Sequence, residues 1–326
     1  MLLYVVRRLG SAVLLLLALL TAVFFIARLA PGDPIDRFGA ADLDAADRAA
    51  VRHNLGLDRP LAAQYWQWLR GVTRGDFGRS LSRHQPVSAM LAEAVPRTLL
   101  LTGIAYVLHF ALAVASGVWL ARNRGRRRER VATVAGLVLY SLPAFWLGQL
   151  LVLVFSRALG WLPASGVAAV GAAWLPWPQR VLDVARHLVL PLCVIGVAPV
   201  LGTARFVRNG VLEALGQDYV LAARARGLPE RAVIWRHALR NGLLPVVTIA
   251  GLNLAFLLNG AVVTEVVFAW PGLGRLTVEA IFARDYPVIM GTTALAGALT
   301  LLGNLLADVL YGVADPRVRL ASEADR

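Results

Sequence analysis

Residues 205–243 read RFVRNGVLEALGQDYVLAARARGLPERAVIWRHALRNGL, and this basic segment separates two long apolar runs. Asp218 is suited to cap a short helix, Gly227 to end it in the left-handed conformation, and Pro229 to begin a second helix. The segment is therefore predicted to form a helix, an elbow and a helix. Its alanines would let another surface approach the backbone closely. Five arginines surround them: Arg224, Arg226, Arg231, Arg236 and Arg240. Such a segment is either a docking platform or a solvated loop whose arginines only fix membrane orientation.

The composition is that of a membrane protein. The chain has 326 residues, is 58% hydrophobic and has a mean hydropathy of +0.63, which is too apolar for an ordinary soluble domain. The net charge is +13. In a chain with long apolar runs, such an excess indicates basic loops that face the cytoplasm and anionic lipid, so no nucleic-acid partner is predicted. All 33 basic residues are arginine. Because a P-loop ATPase needs a lysine on the phosphates, a partner has to handle any ATP.

Six apolar runs predict an all-α polytopic membrane protein with six transmembrane helices. The runs cover about 9–30, 97–121, 131–155, 187–206, 243–268 and 288–311, close to the roughly 20 residues that span a bilayer. A cleaved signal peptide is the alternative for the first run. Its apolar core exceeds the roughly 7 to 15 residues of a signal peptide, so a retained span is favoured. Pro143 is expected to kink the third span.

Charge indicates which loops face the cytoplasm. Segment 33–96 carries eight basic and eight acidic residues, whereas loop 122–130 carries six arginines against Glu129 alone. Cytoplasmic loops carry the arginine excess of membrane proteins. Segment 33–96 is therefore predicted outside and loops 122–130 and 205–243 inside, with both termini cytoplasmic.

The predicted outer segments are rich in aromatic residues. Segment 33–96 is expected to hold two short helices, at about 44–54 and 60–71. Anchoring at the membrane rim explains its aromatic side chains, and those of the outer loop 156–186, better than ligand stacking does. These residues are Tyr65, Trp66, Trp68, Trp161, Trp174 and Trp177.

Two motifs within 205–243 resemble a known family. Residues 219–228 read Tyr-Val-Leu-Ala-Ala-Arg-Ala-Arg-Gly-Leu, and residues 236–241 read Arg-His-Ala-Leu-Arg-Asn. They resemble the "EAA" loop of ATP-binding-cassette (ABC) importer permeases, in the form carried by the peptide/nickel subfamily. Leu221 stands where many members have Glu, and His237 and Arg240 stand where they have Ile and Pro. Four other stretches resemble the same subfamily: ARLAPGDP (27–34), LGLDRPL (55–61), RGDFGRSL (74–81) and WPGLGRL (270–276).

The resemblance covers essentially the whole chain and implies a type I ABC importer permease fold in the bacterial inner (plasma) membrane. Residues 1–96 would supply a first span and an extracytoplasmic segment, and residues 97–326 a five-span permease core containing loop 205–243. The implied partners are a second homologous permease subunit, two ABC ATPase subunits, an extracytoplasmic solute-binding protein and membrane lipid. Dipeptide, oligopeptide, glutathione and nickel permeases share these features, so the solute is left open.

The resemblance also implies residue roles. ATPase coupling is expected at Tyr219, Ala222, Ala223, Arg224, Arg226, Gly227, Pro229, Glu230 and His237. A pathway or gate is expected at Asn253, Asn259, Glu265, Trp270, Pro271 and Gly272. From physical chemistry alone, Trp270 and Pro271 form an interfacial turn. Asparagines inside spans can instead hydrogen-bond between helices, as can Asn304, Thr248 and Gln149.

Two rival functions fit the sequence less well. An ion-coupled secondary carrier needs ionisable groups deep in the bilayer, and the candidates His109, Glu265 and Asp308 form no obvious pair. A membrane enzyme using segment 33–96 would need a catalytic constellation, but GxSxG, HExxH and CxxC motifs are absent. The chain is therefore predicted to be a non-enzymatic permease with no catalytic residue, metal site or cofactor.

Overall fold

The computed structural model describes residues 2–29, 53, 58–259 and 261–314, and this part of the chain is almost entirely helical. The helices are α1 (Leu2–Leu29), α2 (Leu61–Thr73), α3 (Val87–Arg122), α4 (Arg127–Ser141), α5 (Ala144–Leu151), α6 (Trp177–Leu192), α7 (Val200–Leu215), α8 (Asp218–Ala225), α9 (Glu230–Ala232), α10 (Leu239–Gly242), α11 (Leu244–Asn259), α12 (Val262–Val267), α13 (Leu273–Ala283) and α14 (Tyr286–Ala314). π-Helical stretches follow α5, α6 and α9, at Val152–Ala158, Cys193–Val197 and Val233–Ala238. The predicted all-α character is confirmed for these residues, whereas the predicted helix at 44–54 lies outside them.

Three helices are long and apolar enough to cross a membrane: Arg8–Leu29 within α1, the whole of α3, and Tyr286–Leu305 within α14. Two bent pairs also qualify if each counts as one span, namely α4 with Ala144–Ala158, and Trp177–Val197 with α7. The described residues therefore hold three to five candidate spans. The predicted fifth run, 243–268, is divided between the 16-residue α11 and the separate α12, so the count of six is not established.

Two helices begin about ten residues earlier than predicted. The second span was predicted to start near Arg97, but α3 starts at Val87 because its first turns are buried in a hydrophobic cluster. That cluster comprises Val87, Met90, Leu91, Ala94, Leu273, Leu276, Ala280 and Val288. Helix α6 starts at Trp177, well before the predicted His187, because Pro176 precedes it and Pro178 occupies its first turn, where a missing N–H costs nothing. Part of the predicted outer loop 156–186 is therefore helical.

Prolines also set the bends between helices. Pro143 precedes α5, and the chain turns by 101° between α4 and Ala144–Ala158, a much larger change than the predicted kink. Pro199 precedes α7, which lies at 47° to Trp177–Val197. Pro191, in contrast, stays inside α6. A proline without an N–H cannot continue the helical hydrogen-bond ladder, and neighbouring helices can compensate for the loss.

One end of the bundle is held by α3, α7 and the segment that follows α8. One hydrophobic cluster joins them, comprising Val118, Ala121, Val207, Val211, Ala214, Ile234, Ala238, Leu239 and Val246. Two glycines allow the backbones of α7 and α10 to touch. A Cβ added at Gly242 would lie 2.7 Å from the carbonyl carbon of Gly210, and one added at Gly210 would overlap the carbonyl oxygen of Gly242. The basic segment is thus fastened into the helical bundle rather than hanging from it.

We predict that Gly210→Ala destabilises the protein by about 1–3 kcal/mol, because the added methyl group has to displace backbone rather than a flexible side chain. The melting temperature in detergent should fall by several degrees. Gly103→Ala is the matched control: it lies within α3 with nothing within 4 Å of the added Cβ, so better helix propensity should leave stability unchanged or slightly raised. Equal melting temperatures for both variants would contradict the close approach of α7 and α10.

Candidate functional site

The elbow predicted in segment 205–243 is present. Gly227 has φ +76°, in the left-handed region, and its N–H donates to the carbonyl of Arg224 at 2.9 Å. Pro229 directly precedes α9. The predicted cap was wrong, because Asp218 is the first residue of α8 and Gln217 precedes it without a side-chain hydrogen bond to the helix. In that first turn, the carboxylate of Asp218 still interacts favourably with the helix dipole.

Helix α8 has a buried face and an exposed face. Val220 and Ala223 are fully buried against Val233, which closes the inside of the elbow. Ala222 and Ala225 are exposed, as are the apolar side chains of Tyr219, Leu221 and Leu228. The alanines named from the sequence therefore do two different jobs. Ala223 packs the elbow, whereas Ala222 and Ala225 leave room for an approaching surface.

Arg224 and Glu230 form an ion pair across the elbow. Arg224 Nη2 lies 2.8 Å from Glu230 Oε1, and Arg224 Nε donates to Oε2 at 3.2 Å. The hydrogen bond from Arg224 is the main reason that the pKa of Glu230 lies below its ordinary value, with burial opposing it weakly. Part of the positive charge predicted for docking is therefore neutralised within the elbow. Arg226 is exposed and His237 half-buried.

A second ion pair joins the arginine-rich loop to α7. Glu129 is buried, and its Oε1 accepts a hydrogen bond from Arg208 Nε at 2.6 Å while its Oε2 accepts one from the N–H of Gly125 at 2.6 Å. Sequence reasoning did not assign Glu129 a role. The signal was present, since a lone acid among six arginines is the obvious partner for a buried cation.

At the other end of the bundle, Glu265 caps the N-terminus of α13, whose own N-cap residue is a glycine. Helix α13 begins after Gly272, which has no side chain to accept its first N–H groups. Glu265 is fully buried, and its Oε2 accepts the N–H of Arg275 at 3.0 Å. Thr98 of α3 accepts the N–H of Leu273 at 2.8 Å and donates its hydroxyl hydrogen to Glu265 Oε1 at 2.7 Å. Together Glu265 and Thr98 satisfy donors that would otherwise be orphaned.

Trp270 is not part of an interfacial turn, and that prediction was wrong. Its side chain is 0% exposed, packs with Leu101 and Leu188, and donates its indole N–H to the carbonyl of Arg97 at 2.9 Å. The polar tip of the indole is satisfied by α3, so the ring has no need of the headgroup layer. Gly272 is required next to it, because a Cβ there would lie 2.5 Å from both Glu265 Cδ and Thr98 Oγ1.

Asp285 fixes the loop that follows RGDFG. Its Oδ2 accepts hydrogen bonds from the Ser80 hydroxyl at 2.6 Å, the Ser82 hydroxyl at 2.8 Å and the Ser82 N–H at 3.0 Å. Burial alone would raise the pKa of Asp285, but these hydrogen bonds outweigh it and the pKa lies below its ordinary value. Arg83 and Arg275 both contact Glu279 close by. Sequence reasoning missed this network because its members are about 200 residues apart.

A cavity of about 570 Å³ opens among α3, α4, α11 and the break between α6 and α7. Its polar lining includes Tyr106, His109, Thr203 and Asn253. Of the other polar candidates, Gln149 and Asn304 are exposed elsewhere, and the side chain of Asn259 lies outside the described part of the chain. Pro271 is half-buried and borders a smaller outer cleft instead.

We predict that Thr98→Val destabilises the start of α13 by about 1–3 kcal/mol, since it leaves the Leu273 N–H without its acceptor and Glu265 with one donor fewer. Hydrogen exchange at residues 273–275 should accelerate about tenfold or more, and the melting temperature should fall. Thr98→Ser keeps the hydroxyl and should behave much more like the unaltered protein. Unchanged exchange in Thr98→Val would show that α13 does not depend on this cap.

Comparison with known proteins identifies the family. Residues 113–320 match the family described as "Binding-protein-dependent transport system inner membrane component", and residues 1–102 match the N-terminal family of the same transport-system membrane components. The chain is 38% identical over 316 residues to the oligopeptide transport system permease protein AppB of Bacillus subtilis, covering 97% of this chain and 98% of AppB. It is 37% identical over 333 residues to the di/tripeptide transport system permease protein DppB of Pseudomonas aeruginosa, covering 98% and 99%. It is 40% identical over 319 residues to the glutathione transport system permease protein GsiC of Salmonella typhi, covering 98% and 99%.

These matches confirm the predicted family and exclude the carrier and the enzyme as readings of the chain. The chain belongs to the binding-protein-dependent transport inner membrane components, and it is a multi-pass, non-catalytic permease subunit of an ABC importer.

Proposed function

We propose that this chain forms half of the pore of an ATP-driven importer of short peptides or related solutes. Full-length similarity to an oligopeptide, a di/tripeptide and a glutathione permease supports that solute class. The observation that carries the coupling half of the proposal is the elbow, whose inside is packed and whose exposed face combines apolar side chains with arginine. ATP hydrolysis belongs to partners, because the lysine-free chain cannot supply a P-loop lysine.

The elbow is the proposed contact with the ATPase. The exposed face of α8 offers Tyr219, Ala222 and Ala225, a set of one aromatic anchor beside two small side chains. Gly227, Pro229 and the Arg224–Glu230 pair hold the angle between α8 and α9. Arg226, exposed on the same elbow, offers charge to the partner, and His237 lies on the π-helical stretch behind it. Interfaces commonly place apolar anchors at the centre and charge at the rim.

Motion of the ATPase would reach the bundle through α7. Helix α7 leads directly into α8, packs against α3 in the inner cluster, and is held to α4 by Glu129 and Arg208. A push on the elbow therefore moves these helices together instead of bending the connection. The break at Pro199 is the place where such a movement can tilt α7 relative to α6.

The proposed outer gate is the hairpin from α12 to α13. Glu265, Trp270, Pro271 and Gly272 lie here, and the first two are bonded to α3. Because these residues are locked together, the hairpin would move as one piece with the outer end of α3. Asn253 and Asn259 on α11 complete the proposed pathway.

The proposed importer contains this chain, a second homologous permease, two ABC ATPases and an extracytoplasmic solute-binding protein. The proposed division of this chain is a first span with an extracytoplasmic segment at 1–96 and a five-span core at 97–326. Six spans would then be α1, α3, the α4–α5 pair, the α6–α7 pair, α11 and α14, with both termini in the cytoplasm. Exposed Trp161, Trp174 and Trp177 suit the outer headgroup layer in this arrangement.

The topology predicts opposite labelling of two exposed positions in a Cys193→Ala background. Ser165→Cys should react with a membrane-impermeant maleimide in intact spheroplasts, because the 156–176 connection lies outside. Arg128→Cys should react only after permeabilisation, because the arginine-rich loop lies inside. Mass tagging of the purified chain measures both. The reverse pattern would place the elbow on the external side, where no ATPase can reach it.

If the exposed face of α8 contacts the ATPase, Ala222→Trp is expected to uncouple ATP hydrolysis from uptake without unfolding the permease. Ala222 is exposed, so an indole there is tolerated by the fold but separates the two surfaces. Recovery of ATPase with the purified permease and ATP-driven uptake in proteoliposomes should each fall about tenfold or more, equivalent to at least about 1.4 kcal/mol of contact energy. Ala173→Trp, exposed in the predicted outer loop, is the matched control and should leave both unchanged. Normal uptake by Ala222→Trp would contradict the proposed contact.

A further inference from the structure

The cavity among α3, α4, α5, α7, α11 and the π-helical stretch that follows α6 has the size of a ligand site. Its volume of about 570 Å³ falls within the range of about 300–1,000 Å³ typical of small-molecule pockets. It opens beside the break between α6 and α7, and α11 contributes Asn253 to its wall. A cavity at that place lies between the elbow at one end of the bundle and the capped outer hairpin at the other.

The lining is mostly apolar, and its polar groups are uncharged. Within the described part of the chain, none of the residues that line this cavity is Asp, Glu or Arg, although the chain carries a net charge of +13. The polar groups are hydroxyl, imidazole and amide groups, which donate and accept hydrogen bonds without carrying fixed charge. The remaining lining is aliphatic or aromatic, from residues such as Phe110, Leu139 and Ile195. This mixture resembles the surface of a peptide, in which amide groups alternate with apolar carbon.

Tyr106 and Asn253 keep hydrogen-bonding capacity beyond their contacts within the described residues. The Tyr106 hydroxyl donates to the carbonyl of Ala250 at 2.6 Å, which leaves its oxygen able to accept. Asn253 Nδ2 donates to the carbonyl of Ile249 at 2.9 Å, and the side chain is exposed to the cavity. This bond uses one N–H of the Asn253 carboxamide, which also has a second N–H and a carbonyl oxygen. A carboxamide of this kind can pair with a backbone amide in both directions.

His109 bridges the two sides of the break between α6 and α7. Its Nδ1 lies 3.2 Å from the carbonyl of Gly196, and its Nε2 lies 2.8 Å from the Thr203 hydroxyl. A neutral ring with the proton on Nδ1 satisfies both contacts, since Nδ1 donates to the carbonyl and Nε2 accepts from the hydroxyl. The break is thus held by a side chain that also lines the cavity.

The outer cleft is a poorer candidate for a solute site. It is about 170 Å³ and bordered by Arg83, Arg275 and Glu279. Glu279 is already contacted by both arginines, at 2.5 Å from Arg83 Nη2 and 2.6 Å from Arg275 Nε. These charges are engaged with one another, and the space is smaller than a typical ligand pocket.

We propose that the cavity is a transient contact site for the backbone amides of a short peptide or peptide-like solute, with Asn253 and Tyr106 as its hydrogen-bonding groups and His109 holding the break beside them. This inference rests on the proposed function and names a place within it where the solute touches this chain. The uncharged lining has a consequence for specificity. Because no fixed charge faces the solute, passage should depend on its amide groups and little on the charge of its side chains.

Photolabelling of the complete importer in proteoliposomes tests the contact. The probe is the tripeptide Ala-(p-benzoyl-Phe)-Ala, illuminated during ATP-driven turnover, with unlabelled Ala-Ala-Ala as competitor. Label is expected on residues 102–110 or near Asn253, and the competitor should suppress it. ATP-driven uptake with label confined to residues outside the cavity overturns the inference and leaves the proposed function standing. Absence of ATP-driven uptake by the unaltered importer contradicts the proposed function, and this inference with it.

A matched pair of variants tests the amide contact separately. Asn253→Leu removes the carboxamide from the cavity and should lower maximal uptake about two- to tenfold, as expected for one or two lost hydrogen bonds. ATPase stimulation by the solute-binding protein should be kept. Asn304→Leu makes the same exchange at an exposed position of α14 outside the cavity and should leave uptake unchanged. The loss of maximal uptake in Asn253→Leu should be the same for the peptides Ala-Glu-Ala and Ala-Lys-Ala. A loss confined to one of these peptides, or equal losses in both variants, would overturn the proposal.

Discussion

The structure depends on the close approach of α7 to α10, where Gly210 and Gly242 bring two backbones into contact. Without side chains between them, the segment that follows the elbow lies directly against the helix that precedes it. The surrounding cluster of Val118, Val207 and Ala238 then joins both to α3. The elbow is consequently part of the bundle, and a force applied to its exposed face acts on helices rather than on a loop. Interiors packed to this density transmit displacement instead of absorbing it.

Helix α3 links this clamp to a second clamp at the opposite end of the bundle. Its 36 residues span about 54 Å at 1.5 Å per residue, enough to cross the membrane and extend beyond it. Thr98 and the Arg97 carbonyl bind the α12–α13 hairpin near one end, and Val118 and Ala121 bind α7 near the other. The two clamps differ in kind. The first is a close backbone contact surrounded by apolar packing, whereas the second is a hydrogen-bonded helix cap.

Local chemistry explains which features the sequence could predict. The elbow at Gly227 and Pro229 and the break at Pro143 follow from backbone preferences of single residues, so they were recognisable without any tertiary information. Burial of Trp270, the cap supplied by Glu265 and the Ser80–Asp285 contact depend on partners 167 to 205 positions away in the chain. Periodicity cannot reveal such pairs. Helix α3 was predicted too short for the same reason, because packing on α13 sustains it through Pro96.

The distribution of acids follows from the excess of arginine. Glu129 and Glu230 each accept an arginine side chain, and Glu265 and Asp285 accept backbone N–H and hydroxyl groups that hold distant segments together. Each of these four carboxylates is engaged by neighbours within the chain. Arg226 is therefore left exposed on the elbow without a carboxylate partner there. The cavity between the two clamps has no charged residue in its lining, as far as the structure describes the chain. Within the described residues, fixed positive charge is exposed on the elbow, where a partner or lipid headgroups can meet it, whereas the cavity offers only neutral hydrogen-bonding groups and apolar carbon.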